Sequence, residues 1–126
     1  MPYNLQYMIG MAFHGLTRGA FKHARHKFDI VDSTNVHHII PRQWRDHAVI
    51  RSCDFNIHGG QNLMLMPTRL GKQRLITTRP CHEGGHMAYN LYVRERLDTL
   101  PLGQPQQLEA LVYELRQRTR VNCVPW

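Results

Sequence analysis

Apolar residues recur at spacings of three and four from the start of the chain. Leu5, Met8, Ile9, Ala12, Phe13, Leu16, Ala20, Ala24 and Phe28 fall on one stripe. That period predicts a helix over 3–28, weakened at Gly10 and Gly19. Arg18, Lys22 and Arg25 share another face, to be read as a solvated surface or a phosphate contact. "DSTN" at 32–35 is a turn signal. "VHHII" at 36–40, closed by Pro41, and "LMLM" at 63–66, closed by Pro67, are short apolar runs that predict two paired strands. "RQWRDHAVIRSC" at 42–53 reads as a short helix, and "DFNIHGGQN" as a loop with Gly59-Gly60 at its tip. "TRLGKQRLITTRP" at 68–80 reads as a basic loop carrying Arg69, Lys72, Arg74 and Arg79. A helix is expected from about 83 to 97, with Met87, Leu91, Tyr92 and Val93 inside. After "TLPLGQP", Pro105 suits the first turn of a last helix over 105–118, with Leu108, Leu111, Val112 and Leu115 inside. Helix, strand, helix, strand, helix, helix is an α+β order.

The 126 residues suggest one domain, 1–126, with a modest core. A net charge of +7 favours polyanions such as nucleic acid or anionic membranes. No apolar run approaches the ~20 residues of a membrane helix. The first residues lack the basic start and apolar stretch of a signal peptide. The location stays unknown on these grounds, with a cytoplasmic protein as one reading and no membrane partner expected. Cys53, Cys81 and Cys123 are isolated, so free thiols are expected.

The histidines are more informative. His37-His38 and His82/His86 form two tight pairs. Neighbours on a strand point to opposite faces, so His37 and His38 must do different jobs. His82 and His86 have the i, i+4 spacing that sets two rings on one helix face. With Glu83 between them they spell H-E-x-x-H, the zinc-protease signature. That chemistry needs the motif well inside a helix. Gly84 and Gly85 each cost about 1 kcal/mol there, and Pro80 places the motif at a helix start. No downstream residue supplies an obvious third ligand. A non-catalytic nucleic-acid binder with structural zinc is another reading, but such sites usually include cysteines, and these three are scattered.

Three segments taken in order resemble a known family. His37-His38-Ile39-Ile40-Pro41, then Asn62-Leu63-Met64-Leu65-Met66-Pro67, then His82 through His86 to Tyr89-Asn90 are similar to the HNH, or ββα-metal, nucleases. More narrowly they resemble the HNH/endonuclease VII-type branch marked by an AHH signature, with Val36 in place of the alanine. The match spans roughly 36–97. The resemblance implies an α+β fold with a ββα-metal core and flanking N- and C-terminal helices. It implies an endonuclease that hydrolyses phosphodiester bonds, DNA favoured, with low sequence specificity. His37, His82 and His86 would bind one divalent metal ion (zinc, magnesium, manganese or nickel). His38 would be the general base, and Asn62 would tie the hairpin loop and orient it. Asn90 would be a further ligand or a partner of one. Arg42, Arg45, Arg69, Lys72 and Arg74 flank these segments and would grip phosphates; Trp44 and Trp126 could stack on bases. Proteins resembling this branch are often delivered toxin domains and otherwise encoded by phages, viruses or mobile elements. The resemblance therefore implies either a toxin domain or such a protein, with an acidic immunity or inhibitor protein as partner.

Overall fold

The computed structural model describes residues 3–4, 18–27, 29–81 and 86–126. Its elements are strand β1 (Tyr3–Asn4), helix α1 (Arg18–Lys27), strand β2 (Thr34–His38), helix α2 (Ala48–Ser52), strand β3 (Leu63–Pro67), helix α3 (Arg69–Arg74), strand β4 (Leu75–Ile76), helix α4 (Met87–Asp98) and helix α5 (Pro105–Arg120). No helix among the described residues is long and apolar enough to cross a membrane.

The centre is an antiparallel hairpin. β2 pairs with β3 from Thr34 opposite Pro67 to His38 opposite Leu63. Every residue of β3 is buried, which explains why its sequence is a continuous apolar run rather than an alternating one. α4 and α5 pack against the hairpin. The core joins Met64 and Met66 to Tyr89, Val93 and Leu97 of α4 and to Leu108, Leu111, Val112 and Leu115 of α5. The Tyr89 hydroxyl donates to the Ile39 carbonyl at 2.6 Å, fixing α4 to the end of β2. Arg96 and Glu114 join α4 to α5 at 2.5 Å. This mixed helix-and-strand architecture is the expected α+β class. β3 and the last helix fall where their patterns place them, whereas β2 runs Thr34–His38, two residues ahead of the expected 36–40 and beginning inside the turn expected at 32–35.

Several expectations are corrected. The helix foreseen over 3–28 is helical at Arg18–Lys27, whereas Tyr3–Asn4 is a strand parallel to β4. Pairing with Leu75–Ile76 overrides a periodicity that glycines already weaken. The rest of that segment lies outside the described residues. The helix foreseen over 42–53 splits into a 3₁₀ turn, Arg42–Trp44, and α2. His47 causes the break: its ring Nδ1 accepts from the Val49 amide at 3.1 Å and so caps α2. The basic loop at 68–80 contains α3 and β4. Thr68 starts α3 as an N-cap, its hydroxyl accepting from Gly71 N at 3.0 Å. Arg79 is no surface cation. It is buried, donates to the Leu65 carbonyl, and is pushed down to about 9 by burial, then by Arg120 and Arg116.

The helix expected from 83 starts at Met87 instead. Its inner face is Tyr89, Val93 and Leu97, while Met87 and Leu91 are exposed. A spacing of four puts those three on one stripe, and the stripe is set by the hairpin they meet.

Candidate active site

β2 delivers its two terminal residues to opposite sides, as the pleat requires. His37 points inward and is 1% exposed. Its ring centroid lies 5.6 Å from that of His86, 5.0 Å from Tyr89 and 5.4 Å from Trp126. His38 is half-buried and meets His58 across the hairpin loop, His38 Nε2 to His58 Nδ1 at 3.2 Å. Both histidines of the pair nevertheless line one cavity of about 290 Å³, together with Arg42, His86 and Asn90.

Asn62 builds the turn that makes this possible. It is fully buried. Its Oδ1 accepts from the Ile40 amide at 2.7 Å, and its Nδ2 donates to the Ile40 and Ile57 carbonyls at 3.1 and 2.9 Å. The Ile39 amide donates to the Asn62 carbonyl at 2.8 Å. The side chain thus ties the chain leaving β2 to the loop entering β3. Those bonds end on Ile40 and Ile57; the ring that meets His38 is His58.

His86 is the N-cap of α4, with φ −130° and ψ 61°, not a residue inside it. The helical i, i+4 argument for His82 and His86 is therefore replaced, because α4 begins one residue after His86. His82, with Glu83, lies outside the described residues. His86 is oriented by Asn90, Nδ1 to Oδ1 at 2.9 Å. An amide oxygen only accepts, so His86 Nδ1 is the donor in this bond, an arrangement that in a neutral ring leaves the lone pair on Nε2. Asn90 is held in turn: its carbonyl accepts from Trp44 Nε1 at 2.9 Å.

The donor chemistry suits a divalent ion. Two imidazoles sharing a tetrahedral ion at ~2.0–2.1 Å per bond have centroids roughly 5 Å apart, close to the separation of His37 and His86. Asn90 fixes one ring by its other nitrogen, as partners of metal-bound imidazoles do. Tyr89 and Trp126 close the surroundings with apolar rings. Among the described residues no three of His, Cys, Asp and Glu gather around one point, and the expected third histidine is not among them.

The expected phosphate contacts divide. Arg42 lines the cavity beside His38. Arg45 is largely exposed, 3.9 Å from Asp46. Arg69, Lys72 and Arg74 sit on α3, after the end of β3 that faces Thr34, and so at the far end of the hairpin from His38. Lys72 Nζ donates to the Arg79 carbonyl at 2.9 Å. Both tryptophans are half-buried. Trp44 lies under Arg94, and Trp126 packs on His37, His86 and Tyr89.

Sequence reasoning missed His58 and His47. His58 and His38 are twenty residues apart with no periodic relation, so only the folded loop reveals the contact. No curated protein and no solved structure matches the chain. One family profile does, over residues 18–118, from α1 to within two residues of the end of α5, taking in both strands of the hairpin and every described side chain of the cavity. The chain belongs to the AHH family, a nuclease family of the HNH/ENDO VII superfamily with conserved AHH.

Proposed function

We propose that this nuclease is a metal-dependent endonuclease that hydrolyses phosphodiester bonds, DNA foremost, with little sequence preference. The observation that carries the reading is the sharing of one cavity by His37, His38 and His86, although the first two leave β2 on opposite sides. His38 is the general base. A neutral imidazole near pH 7 takes a proton from water, and that water attacks phosphorus as the 3′ oxygen leaves. Once protonated, His38 has an N–H at Nε2, and His58 Nδ1 lies at hydrogen-bonding distance to accept it. His58 is thus a positioning residue for the base. Arg42 meets the phosphate beside the base. His37 and His86 would hold the ion, with His82 as third ligand and Asn90 as the partner that orients His86. A bound divalent ion supplies positive charge beside the phosphodiester; imidazole donors suit zinc or nickel, and magnesium or manganese can serve the same role. Asn62 acts through the loop it builds. An acidic inhibitor protein is the partner that the charge of +7 would favour.

Plasmid nicking tests this, with and without chelator, in the wild type, His38→Ala and Glu83→Ala. Nicking is expected to need the metal, to fall by 10²–10⁴-fold in His38→Ala, the range a general base supplies, and to persist in Glu83→Ala. Full activity of His38→Ala would remove the base. Peptide hydrolysis that depends on Glu83 would replace the nuclease reading with a protease.

A further inference from the structure

The cavity that holds His38 does not end at the hairpin. A larger hollow of about 690 Å³ shares Val36, His38 and Arg42 with it and runs on to α1, where Lys22, Arg25 and His26 line its wall. No carboxylate is among the described residues that line either hollow. Lys22, His26 and Arg42 are exposed and open to a ligand. Arg25 is half-buried and works as a staple. Its Nε donates to Thr34 Oγ1 at 3.0 Å, and its Nη2 donates to the Val31 carbonyl at 2.9 Å and to the Thr34 carbonyl. All these acceptors are neutral, so none of them cancels the guanidinium's charge while it pins α1 against β2. Burial lowers its pKa, and the opposing charge of Asp32, which does not line the hollow, acts to raise it.

This wall competes with a second basic surface. Arg69, Lys72 and Arg74 follow β3 at the Thr34 end of the hairpin. Four strand steps of ~3.3 Å separate Thr34 from His38, about 13 Å. A phosphate on α3 would therefore lie a hairpin's length from the base. A phosphate on α1 would lie in the hollow that the base itself lines.

We propose that the groove between α1 and the hairpin is the track for the phosphodiester backbone next to the scissile bond, so that α1, outside the ββα core, is the substrate-gripping element. The proposal rests on the nuclease reading for what happens at His38, but binding can be read without cleavage. Its chemistry is that of the backbone, shared by DNA and RNA. Contacts of this kind add affinity and salt dependence and carry no base information.

The test uses the full chain with His38→Ala in chelator and follows the anisotropy of labelled DNA and RNA strands and duplexes over a salt series. Lys22→Gln with Arg42→Gln should weaken binding on the order of tenfold and flatten the salt slope by about 1.5, near 0.7–0.9 per cation removed. Equal losses on DNA and RNA support a backbone track; a loss confined to one base sequence overturns it. Lys22→Glu alone, at an exposed helix position, decides the matter should the double variant misfold: weaker binding supports the track and wild-type binding overturns it. The competing pair, Arg69→Gln with Arg74→Gln, should cost less than the groove pair. A larger loss there moves the track to α3 and overturns the assignment. The two readings fail separately. If the native chain does not nick plasmid but the groove variants lose affinity, the track stands and the catalytic reading falls. If it nicks and the groove variants bind like wild type, the track falls alone.

Discussion

In the proposed mechanism Asn62 and His58 serve His38 in two different ways, neither of which carries the chemistry. Asn62 is fully buried, and three backbone groups depend on its amide. Asn62→Ala would strand the Ile40 amide and two carbonyls away from water. Each such group costs about 1–3 kcal/mol, and partial relaxation brings the expected loss to about 2–4 kcal/mol in urea unfolding. A loss under ~0.5 kcal/mol, the size of a neutral surface change, would mean that the loop does not need it. His58 is exposed, so its removal should leave stability nearly unchanged and act on the base instead. His58→Ala is expected to lower kcat on the order of tenfold with KM unchanged, as loss of a hydrogen bond felt only at the reacting step would. His58→Asn puts an amide near the position of Nδ1 and should restore much of that rate; a variant no better than alanine would leave His58 without a positioning role. The sequence prepared for the first residue and not the second. Asn62 was legible because the family resemblance marks it, whereas a contact between side chains twenty residues apart is made by the loop's path.

At the scale of elements, the central hairpin was legible because its two apolar runs are bounded by prolines. α3 was not, since half of its six residues are charged and it carries no apolar stripe. Its signal was local: Thr68 as a cap, and Gly71 where a side chain would not fit. A β-carbon on Gly71 would lie 1.9 Å from the Ser33 carbonyl oxygen, in a docking held by the Thr68 amide on that same oxygen. Gly71→Ala is expected to cost about 1–3 kcal/mol in thermal unfolding, the range for overpacking a close contact. A variant as stable as the wild type would show that α3 can lift away from β2. The N-terminus of α4 misled for a different reason. H-E-x-x-H spacing promised rings stacked on a helix, but His86 caps the helix and the motif lies before it. α4's grip on the hairpin is Tyr89, whose phenol burial raises above its ordinary 10.0. The sign follows: the unfolded phenol ionises near 10.0 and the folded one does not. The stabilisation is therefore complete below 10.0 and decays as the pH climbs past it. Tyr89→Phe should lose about 1 kcal/mol near neutral pH for the missing bond to Ile39. Above 10.0 its stability should fall less steeply than the wild type's; parallel curves would deny that this phenol governs the alkaline limb.

At the scale of the whole molecule, the pieces meet at His37. β2 supplies it, α4 supplies Tyr89 beneath it, the N-cap of α4 supplies His86, and the segment after α5 lays Trp126 across both histidines, 5.4 and 5.1 Å from their ring centres. An ion held by His37 and His86 would therefore fasten the hairpin, α4 and the C-terminal segment together. It would bind the folded chain and not the unfolded one, so it should stabilise by mass action, by about 2.7 kcal/mol at a free concentration a hundred times Kd. The expected result is a melting temperature that rises with zinc or nickel and returns with chelator. Nickel should also quench the indole next to the site, and Trp126→Phe should abolish most of that quenching while keeping the shift in melting temperature. The second tryptophan, Trp44, lies under Arg94 and is bonded to the carbonyl of Asn90, so it provides the residual signal. His37→Ala and His86→Ala should each remove both the thermal shift and the quenching. A thermal shift that survives in both variants would place the ion elsewhere, and with it the partnership of β2 and α4 on which the catalytic reading depends.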